Sequence, residues 1–430
     1  MNGRHSQQLG HSPISKWGSI HSLMRDQCLS ILAIQETHLN NEYSDNIQEL
    51  YSKHLHVLNS PDPDRPTASA GVAFVINREI ANINDLEFTE VIPGCAVLLS
   101  TKWHKSKRFS ILNVYAPNEY TQHPDFWAKI STYWETHALP KPDFMMGDFN
   151  IVEDPIDRSP PHADPAPATN ALRDVRLALN VIDGWRADHD TERVFTYHNS
   201  SARMSRIDRV YTKRSHLPNI RDWTISSSVV PSDHRLTTLR FSPLDAPHIG
   251  AGRWTWPLGL INDNNLIEKV TATGIELQNS LSLINRTDVD NAQCLWQTYK
   301  TTITDIAKRH AKESLAKITS RIHALQKDLS CTQNDPNLDT SENLRTHATL
   351  LESEIDHLHK KRFARAQIHG QARWVAKGET PSKYLSRVLS VKTPRDLIHT
   401  LEIPESNPRA FASRSDKMAE IARNYHESLQ

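Results

Sequence analysis

The sequence predicts an α/β layered domain over residues 1–242, followed by a helical region. Apolar runs of strand length alternate with helical patterns up to about residue 242, which is typical of sheets covered by helices. Beyond residue 260, apolar residues recur at spacings of three and four. Because 430 residues are too many for one ordinary core, we expect two or more structural units.

The predicted elements of the first domain are short and bounded by polar or turn-forming residues. In chain order they are a helix at 17–25, strands at 29–38, 71–77, 97–100 and 109–118, a helix at 124–136, a strand at 144–150, a proline-rich loop at 155–167, a helix at 170–179, an extended segment at 194–197, and strands at 205–211 and 236–241.

A linker rich in proline and glycine is predicted at 243–260, and a helical connector at 261–430. Two apolar repeats with the rhythm of a coiled coil flank a polar turn at 334–341, so we expect an antiparallel helical hairpin over about 300–376. The repeats comprise Leu315, Ile318, Ile322, Leu325 and Leu329, then Leu344, Ala348, Leu351, Ile355 and Leu358.

The second repeat ends in a basic run, Lys360-Lys361-Arg362, with Arg365 and Arg373 near Trp374. Such a run is either a solvated helix face or a contact with nucleic acid, including RNA. Both interpretations stay open at this point.

Composition restricts the class of protein. There are 50 basic and 50 acidic residues besides 23 histidines, which excludes a globally basic protein but not local basic patches. A mean hydropathy of −0.56, with no apolar run long enough to cross a bilayer, predicts a soluble protein without membrane contact. Four widely spaced cysteines without a CxxC pair favour a reducing compartment, the nucleus or cytoplasm.

The strand at 144–150 carries the first chemical signal. An apolar run leads into Gly147, and then Asp148 and Asn150 follow at i and i+2, so both side chains are expected on one face at a strand end. A turn after a core strand often carries the same residues, which is the ordinary alternative.

Other predicted strand ends carry polar residues as well. Together they offer what metal-assisted phosphodiester hydrolysis requires: a carboxylate for Mg²⁺, a second carboxylate to accept a proton from water, and donors for the charge on phosphate. The residues are Glu36, Tyr115, Asn118, Asp148, Asn150, Asp208, Asp233 and His234.

Five ordered motifs resemble those of the endonuclease/exonuclease/phosphatase superfamily, and most closely those of the apurinic-type endonuclease of non-LTR (LINE-like) retrotransposons. The resemblance implies a four-layered α/β sandwich, with two packed mixed sheets flanked by helices, as in DNase I. The motifs are Gln35-Glu36-Thr37, Asn113-Val114-Tyr115-Ala116-Pro117, Gly147-Asp148-Phe149-Asn150, Ser205-Arg206-Ile207-Asp208 and Ser232-Asp233-His234.

The resemblance also implies a metal site. Glu36 is the expected principal ligand of Mg²⁺, for which Mn²⁺ could substitute. Asn2 matches the asparagine of the first motif and is expected beside Glu36. Asp233 is expected to support the metal or its waters.

By the same resemblance, Asp148 orients and deprotonates the attacking water, and Asn150 holds that water and contacts the phosphate. Tyr115 donates to the scissile phosphate, with Asn118 as a weaker candidate. Whether Asp148 or a metal-bound hydroxide is the base stays open.

The remaining residues concern the transition state and the DNA. The resemblance implies that His234 stabilises the pentacovalent transition state and that Asp208 holds it charged. Ser205 and Arg206 are candidates for DNA contact, although Arg206 could equally pair with a buried acid. Thr196 is expected near the scissile strand or in a purely structural role.

The resulting hypothesis is a Mg²⁺-dependent endonuclease that nicks one strand of duplex DNA and leaves a 3′-hydroxyl, the primer for reverse transcription in the parent element. The helical region resembles the connector to a reverse transcriptase, whose domain we expect to be absent. The alternatives are a superfamily phosphatase and an inactive fragment that only binds nucleic acid.

The superfamily pattern has a strand before its first asparagine, whereas Asn2 directly follows Met1. We therefore expect one sheet to lack a strand beside the metal site, which would lower activity.

Overall fold

The computed structural model describes residues 16–102, 108–199, 201–242, 254, 263–283, 287, 291–377, 386, 390–394 and 398–429. Within these, the side chains at 314–317 and 363–377 are left out. Four parts of the predictions lie outside the described residues: Asn2, almost all of the predicted linker, the basic side chains at 365 and 373, and residues 378–384 of the predicted connector.

Strands dominate the first 242 residues. They are β1 (Ile31–Gln35), β2 (Leu55–Ser60), β3 (Val72–Asn77), β4 (Glu87–Ile92), β5 (Ala96–Lys102), β6 (Arg108–Tyr115), β7 (Phe144–Asp148), β8 (Arg158–Ser159), β9 (Ile182–Asp183), β10 (Tyr197–His198), β11 (Met204–Ser205), β12 (Asp208–Thr212), β13 (Ile220–Ser226) and β14 (Leu236–Phe241), with β15 (Leu401–Glu402) and β16 (Phe411–Ala412) near the end of the chain.

The helices lie before, between and after these strands. They are α1 (Lys16–Asp26), α2 (Asn41–Tyr51), α3 (His123–His137), α4 (Ala166–Leu179), α5 (Gly184–Asp188), α6 (Asn264–Leu283), α7 (Ala292–Gln333), α8 (Glu342–Lys377) and α9 (Ser415–Ser428).

Two main sheets are present. The first has the order β1-β3-β2 and is antiparallel. The second has the order β4-β5-β6-β7-β12-β9, and it is mixed because β6 and β7 run parallel while its other pairs are antiparallel. Shorter pairings join β10, β11 and β8, and β13 with β14.

The two sheets pack face to face between helices. On β5, Leu99 faces β3 in the core between the sheets, whereas Leu98 faces the opposite side with α3 and α4. Helix α1 covers the outer face of the first sheet through Trp17 and Ile20, which pack with β1. This confirms the predicted four-layered sandwich. The prediction that both sheets are mixed was wrong for the described part of the first sheet, which is antiparallel.

Several element predictions were incomplete. Helix α2 was missed because Ile47 is its only buried residue; an N-cap supports it, in which the Asn40 side chain accepts from the Tyr43 amide. The loop at 155–167 contains β8 and the start of α4. The strand at 205–211 is interrupted, because the amides of Arg206 and Ile207 bond outside the ladder, to Asp157 O and Thr196 Oγ1.

Two compact units divide the chain. The first contains the described residues within Met1–His248, Asp328–Asp356 and Ser386–Gln430, and the second those within Ile249–Lys327 and His357–Leu385.

Predicted repeat positions such as Leu329 and Ile355 are buried. Among the described residues, no helix combines the length and apolar character needed to cross a membrane.

The pairing of β6 with β7 depends on one glycine. Gly147 has φ +141° and lies opposite Val114, and a Cβ atom at Gly147 would overlap the Val114 carbonyl. A side chain at this position would therefore force the two strands apart.

We predict that Gly147→Ala lowers the free energy of unfolding by about 3 kcal/mol, through combined backbone strain and overpacking. Denaturant unfolding followed by tryptophan fluorescence measures this. Gly274→Ala in α6 is the matched control, since its Cβ would meet only Tyr299 Oη at 3.7 Å. The control should be neutral or stabilising by up to about 1 kcal/mol. Equal effects of the two substitutions would contradict the prediction.

Candidate active site

The register of three neighbouring strands brings three polar residues together. Tyr115 at the end of β6 lies opposite Asp148 of β7, and Asp148 lies opposite Asp208 of β12. Residues directly opposite one another in a sheet share a face, so these side chains form a row. The row is buried, with Asp148 and Asp208 among the most enclosed acids of the chain.

His234 completes a cluster with the two aspartates. Its Nδ1 is 2.9 Å from Asp208 Oδ2, and its Nε2 is 4.0 Å from Asp148 Oδ2. The imidazole ring lies 4.9 Å from the ring of Tyr197, and the backbones of these two residues form a β-bridge. The His234 amide also donates to Ser232 Oγ at 3.0 Å. The ring is therefore held from several sides.

Glu36 enters the site from the first sheet. It follows β1 with φ +49°, and Tyr115 Oη donates to its Oε1 at 2.6 Å. Burial and then this hydrogen bond raise the pKa of Tyr115, so the phenol keeps its proton. The exposed Asn118 partly opposes this rise in the pKa of Tyr115. Tyr115 thus connects both sheets at the site.

Asn150 lies just beyond β7 with φ +52°, a conformation that asparagine tolerates better than most residues. Its amide donates to Asp148 Oδ1 at 3.0 Å, and its side-chain nitrogen donates to Ala116 O at 2.9 Å. These bonds fix both the Asp148 carboxylate and the carboxamide, so the pair is preorganised.

The electrostatics separate the two aspartates. Burial and the nearby Asp208 carboxylate raise the pKa of Asp148 above its usual range. Burial alone would raise the pKa of Asp208 as well, but the positive charge of His234 outweighs this effect. The net pKa of Asp208 is therefore lowered. Burial lowers the pKa of His234, while Asp208 and then Asp148 raise it to a net value of about 9. One carboxyl group is thereby suited to accept a proton, and the other is the permanent partner of an imidazolium.

Sequence reasoning missed Lys16 and Tyr197. Lys16 opens α1 near the carboxylates of Asp233 and Glu36, and burial lowers its pKa to about 8 in spite of their attraction. Asp233 itself is exposed. No motif marks Lys16, because its place depends on the packing of α1 against the first sheet.

The three candidates for DNA contact differ in burial. Arg206 is 1% exposed, and its guanidinium bonds Asp157 and Asp183, which is the arrangement of the structural alternative. Thr196 is also buried, and its Oγ1 accepts from the amides of Ile207 and Asp208 at 3.1 and 3.0 Å. Ser205 is partly exposed, and its hydroxyl accepts from Arg158 Nε at 3.3 Å.

The oxygen donors of the site suit a hard divalent cation. Asp148, Asp208 and His234 offer ligand atoms within 4.8 Å of one another. An imidazolium has no lone pair to give to a metal, so His234 could bind one only after losing its proton. The carboxylates of Glu36 and Asp148 and the carboxamide of Asn150 are the oxygen groups that Mg²⁺ prefers.

Comparison with known proteins identifies the family of the chain. The sequence pattern of the Endonuclease/Exonuclease/phosphatase family matches residues 17–234. The chain belongs to this family. The match covers the segment from α1 to His234, and so includes every described residue of the cluster. Membership relates the chain to the nucleases and phosphatases, which are hydrolases.

One sequence relative is a transposon protein. The chain is 29% identical over 192 residues to the transposon TX1 uncharacterized 149 kDa protein of Xenopus laevis, a match covering 44% of this chain and 14% of that protein. The chain thus spans about a seventh of the length of that relative.

Solved structures with similar coordinates include an AP endonuclease from Archaeoglobus fulgidus, with 19% identity, a TM-score of 0.42, and coverage of 52% of this chain and 93% of that one. Another is the endonuclease domain of TRAS1, a telomere-specific non-LTR retrotransposon, with 15% identity, a TM-score of 0.38, and coverage of 51% and 90%.

The His234–Asp208 pair predicts a pH dependence of stability. The folded pKa of His234 is raised from its ordinary 6.5 to about 9, so protonation stabilises the folded state. This contribution is fully present below pH 6.5 and is lost as the pH rises through about 9. The shift corresponds to on the order of 3 kcal/mol.

We therefore expect the difference in unfolding free energy between the metal-free wild type and His234→Gln to shrink by about that amount between pH 6 and pH 9.5. Urea titrations with EDTA measure it. His137→Gln, at an exposed position, is the matched control. A pH-independent difference for His234→Gln would contradict the assignment.

Proposed function

We propose that residues 1–242 form a Mg²⁺-dependent endonuclease domain that nicks one strand of duplex DNA and leaves a 3′-hydroxyl. The main support is the buried cluster of Asp148, Asp208 and His234. The Tyr115–Glu36 hydrogen bond lies next to this cluster, in a domain of this family. The similarity to a transposon protein is the reason for proposing DNA, rather than another phosphodiester, as the substrate.

Asp148 is the proton acceptor in this proposal. Its raised pKa makes it a better base than an ordinary carboxylate, and the Asn150 amide fixes one of its oxygens. A water held by Asp148 and Asn150 attacks the phosphorus and gives its proton to Asp148. The bond from phosphorus to the 3′ oxygen then breaks, and the 3′ oxygen takes up a proton from solvent to become the 3′-hydroxyl.

Positive and donor groups surround the position where charge develops. The His234 imidazolium, paired with Asp208, stabilises the extra negative charge on the phosphorane oxygens. The Tyr115 phenol remains protonated, and when DNA binds it turns its single O–H donor from Glu36 to the same phosphate. Since these groups are already ordered by their neighbours, little reorganisation accompanies the reaction.

Glu36 is the proposed principal metal ligand, with Asp233 supporting the metal's waters. A bound Mg²⁺, or Mn²⁺ in its place, supplies Lewis-acid stabilisation of the phosphate oxygens. The carboxylate of Glu36 is buried, and its position is set by Tyr115. Lys16 near Glu36 and Asp233 places a second cation at this part of the site.

The proton-acceptor role predicts that Asp148→Asn lowers the nicking rate by about 10³-fold, because the amide cannot take the proton. The assay follows supercoiled plasmid converting to open circle with Mg²⁺, against an EDTA control. Glu90→Gln on β4, an exposed carboxylate outside the site, should nick like the wild type. Wild-type nicking of Asp148→Asn would refute the role, and a wild type that does not nick with Mg²⁺ or Mn²⁺ would refute the function.

The metal-ligand role predicts a different kinetic signature for Glu36→Gln. Losing a charged ligand weakens metal binding, so the Mg²⁺ concentration for half-maximal nicking should rise by about 10- to 100-fold. High Mg²⁺ or Mn²⁺ should recover much of the rate in this variant but not in Asp148→Asn. An unchanged metal dependence would remove Glu36 from the metal site.

A further inference from the structure

Arg235, which directly follows His234, pairs with an acid that is far away in the sequence. Its Nη2 lies 2.7 Å from Glu352 Oε2, and the two side chains are 10% and 3% exposed. Glu352 belongs to α8 and to the segment Asp328–Asp356, which is part of the same compact unit as the nuclease strands. The segment Asp328–Asp356 therefore contacts Arg235, the residue next to the proposed catalytic histidine.

Glu352 also contacts β10. Its Oε2 lies 3.1 Å from His198 Nδ1, and its Oε1 accepts from Gln333 Nε2 at 3.1 Å. His198 is adjacent to Tyr197, whose ring packs against His234. The Glu352 carboxylate thus binds Arg235, which follows His234, and His198, which follows Tyr197.

The backbone continues the connection to Asp208. The Arg235 amide donates to Thr196 O at 2.8 Å, while Thr196 Oγ1 accepts from the Asp208 amide at 3.0 Å. Thr196 therefore links the residue after His234 with the aspartate that holds His234. A shift of Arg235 would be transmitted to both partners of the catalytic pair.

A second acid anchors the same segment on the nuclease unit. Asp339 Oδ1 lies 2.6 Å from Arg193 Nη2 and accepts from Ser159 Oγ at 2.8 Å. In addition, Asn334 Oδ1 accepts from the Arg193 amide at 2.8 Å. The segment is thus held at two places, and Glu352 is not an isolated contact.

We propose that Glu352 is a positioning residue of the nuclease site: by binding Arg235 and His198 it holds the loop of His234 against β10. This inference rests on the proposed function. It assigns the segment Asp328–Asp356 a part in assembling the site.

Burial distinguishes positioning from substrate binding. A guanidinium that is 10% exposed and already paired with a buried carboxylate is not available to a DNA phosphate. His198 and Arg235 lower the pKa of Glu352 against the effect of its burial, so the carboxylate is ionised. Removing its charge would leave a buried, unpaired arginine, which moves toward solvent and takes its backbone with it.

Kinetics of the full chain test the proposal. Glu352→Gln preserves the side-chain volume and should lower kcat for nicking by about 10- to 100-fold, the effect of a misplaced catalytic group, with KM for DNA within about twofold. Glu352→Asp, which keeps the charge, should recover part of the loss. Glu354→Gln, on the same helix but exposed, should behave like the wild type. An increase in KM alone, or a kcat within twofold of wild type, overturns the proposal.

A readout without catalysis separates this inference from the proposed function. In histidine-labelled protein, the imidazole resonances of His234, assigned with His234→Gln, should shift in Glu352→Gln and stay in place in Glu354→Gln. Unchanged resonances in Glu352→Gln overturn the positioning role whatever the kinetics show. If the wild type does not nick at all, the proposed function fails, while these spectra still decide whether Glu352 positions His234.

Discussion

The site depends on the close parallel pairing of β6 with β7, which the missing side chain of Gly147 permits. This pairing sets Tyr115 beside Asp148, and the antiparallel partner β12 adds Asp208 to the same row. A shift of one residue in either pairing would turn the side chains to opposite faces and disperse the row. The chemistry therefore follows from strand register, which backbone hydrogen bonds and core packing jointly enforce.

A second constraint keeps the two sheets in a fixed relation. Asn113 of β6 accepts from Gln35 Nε2 at 2.6 Å and donates to the carbonyls of Ile34 and Ala73 at 3.2 and 3.1 Å. These buried bonds connect β6 with β1 and β3 through the core. Because an apolar substitute would leave buried groups unsatisfied, the polar link specifies one alignment of the sheets. That alignment brings Glu36 from the first sheet to Tyr115 of the second.

The cluster illustrates how burial creates reactivity. Two carboxyl groups and an imidazole are removed from water, which is unfavourable unless charges are paired. Asp208 and His234 form the pair, so Asp148 is left as the acid with the raised pKa. The same arrangement raises the pKa of Asp148, which suits the proton-acceptor role proposed for it. The proposed role and stability therefore oppose each other at this residue.

The sequence by itself determined the layered α/β class and the family of nucleases and phosphatases, because strand periodicity and ordered motifs at strand ends are local patterns. It predicted Glu36, Asp148 and His234 as site residues without showing how they meet. The tertiary structure decided the row in the sheet, the burial of Arg206 and the contacts of Lys16 and Glu352. These depend on register and on contacts between residues far apart in the chain, for which single-sequence patterns carry no signal.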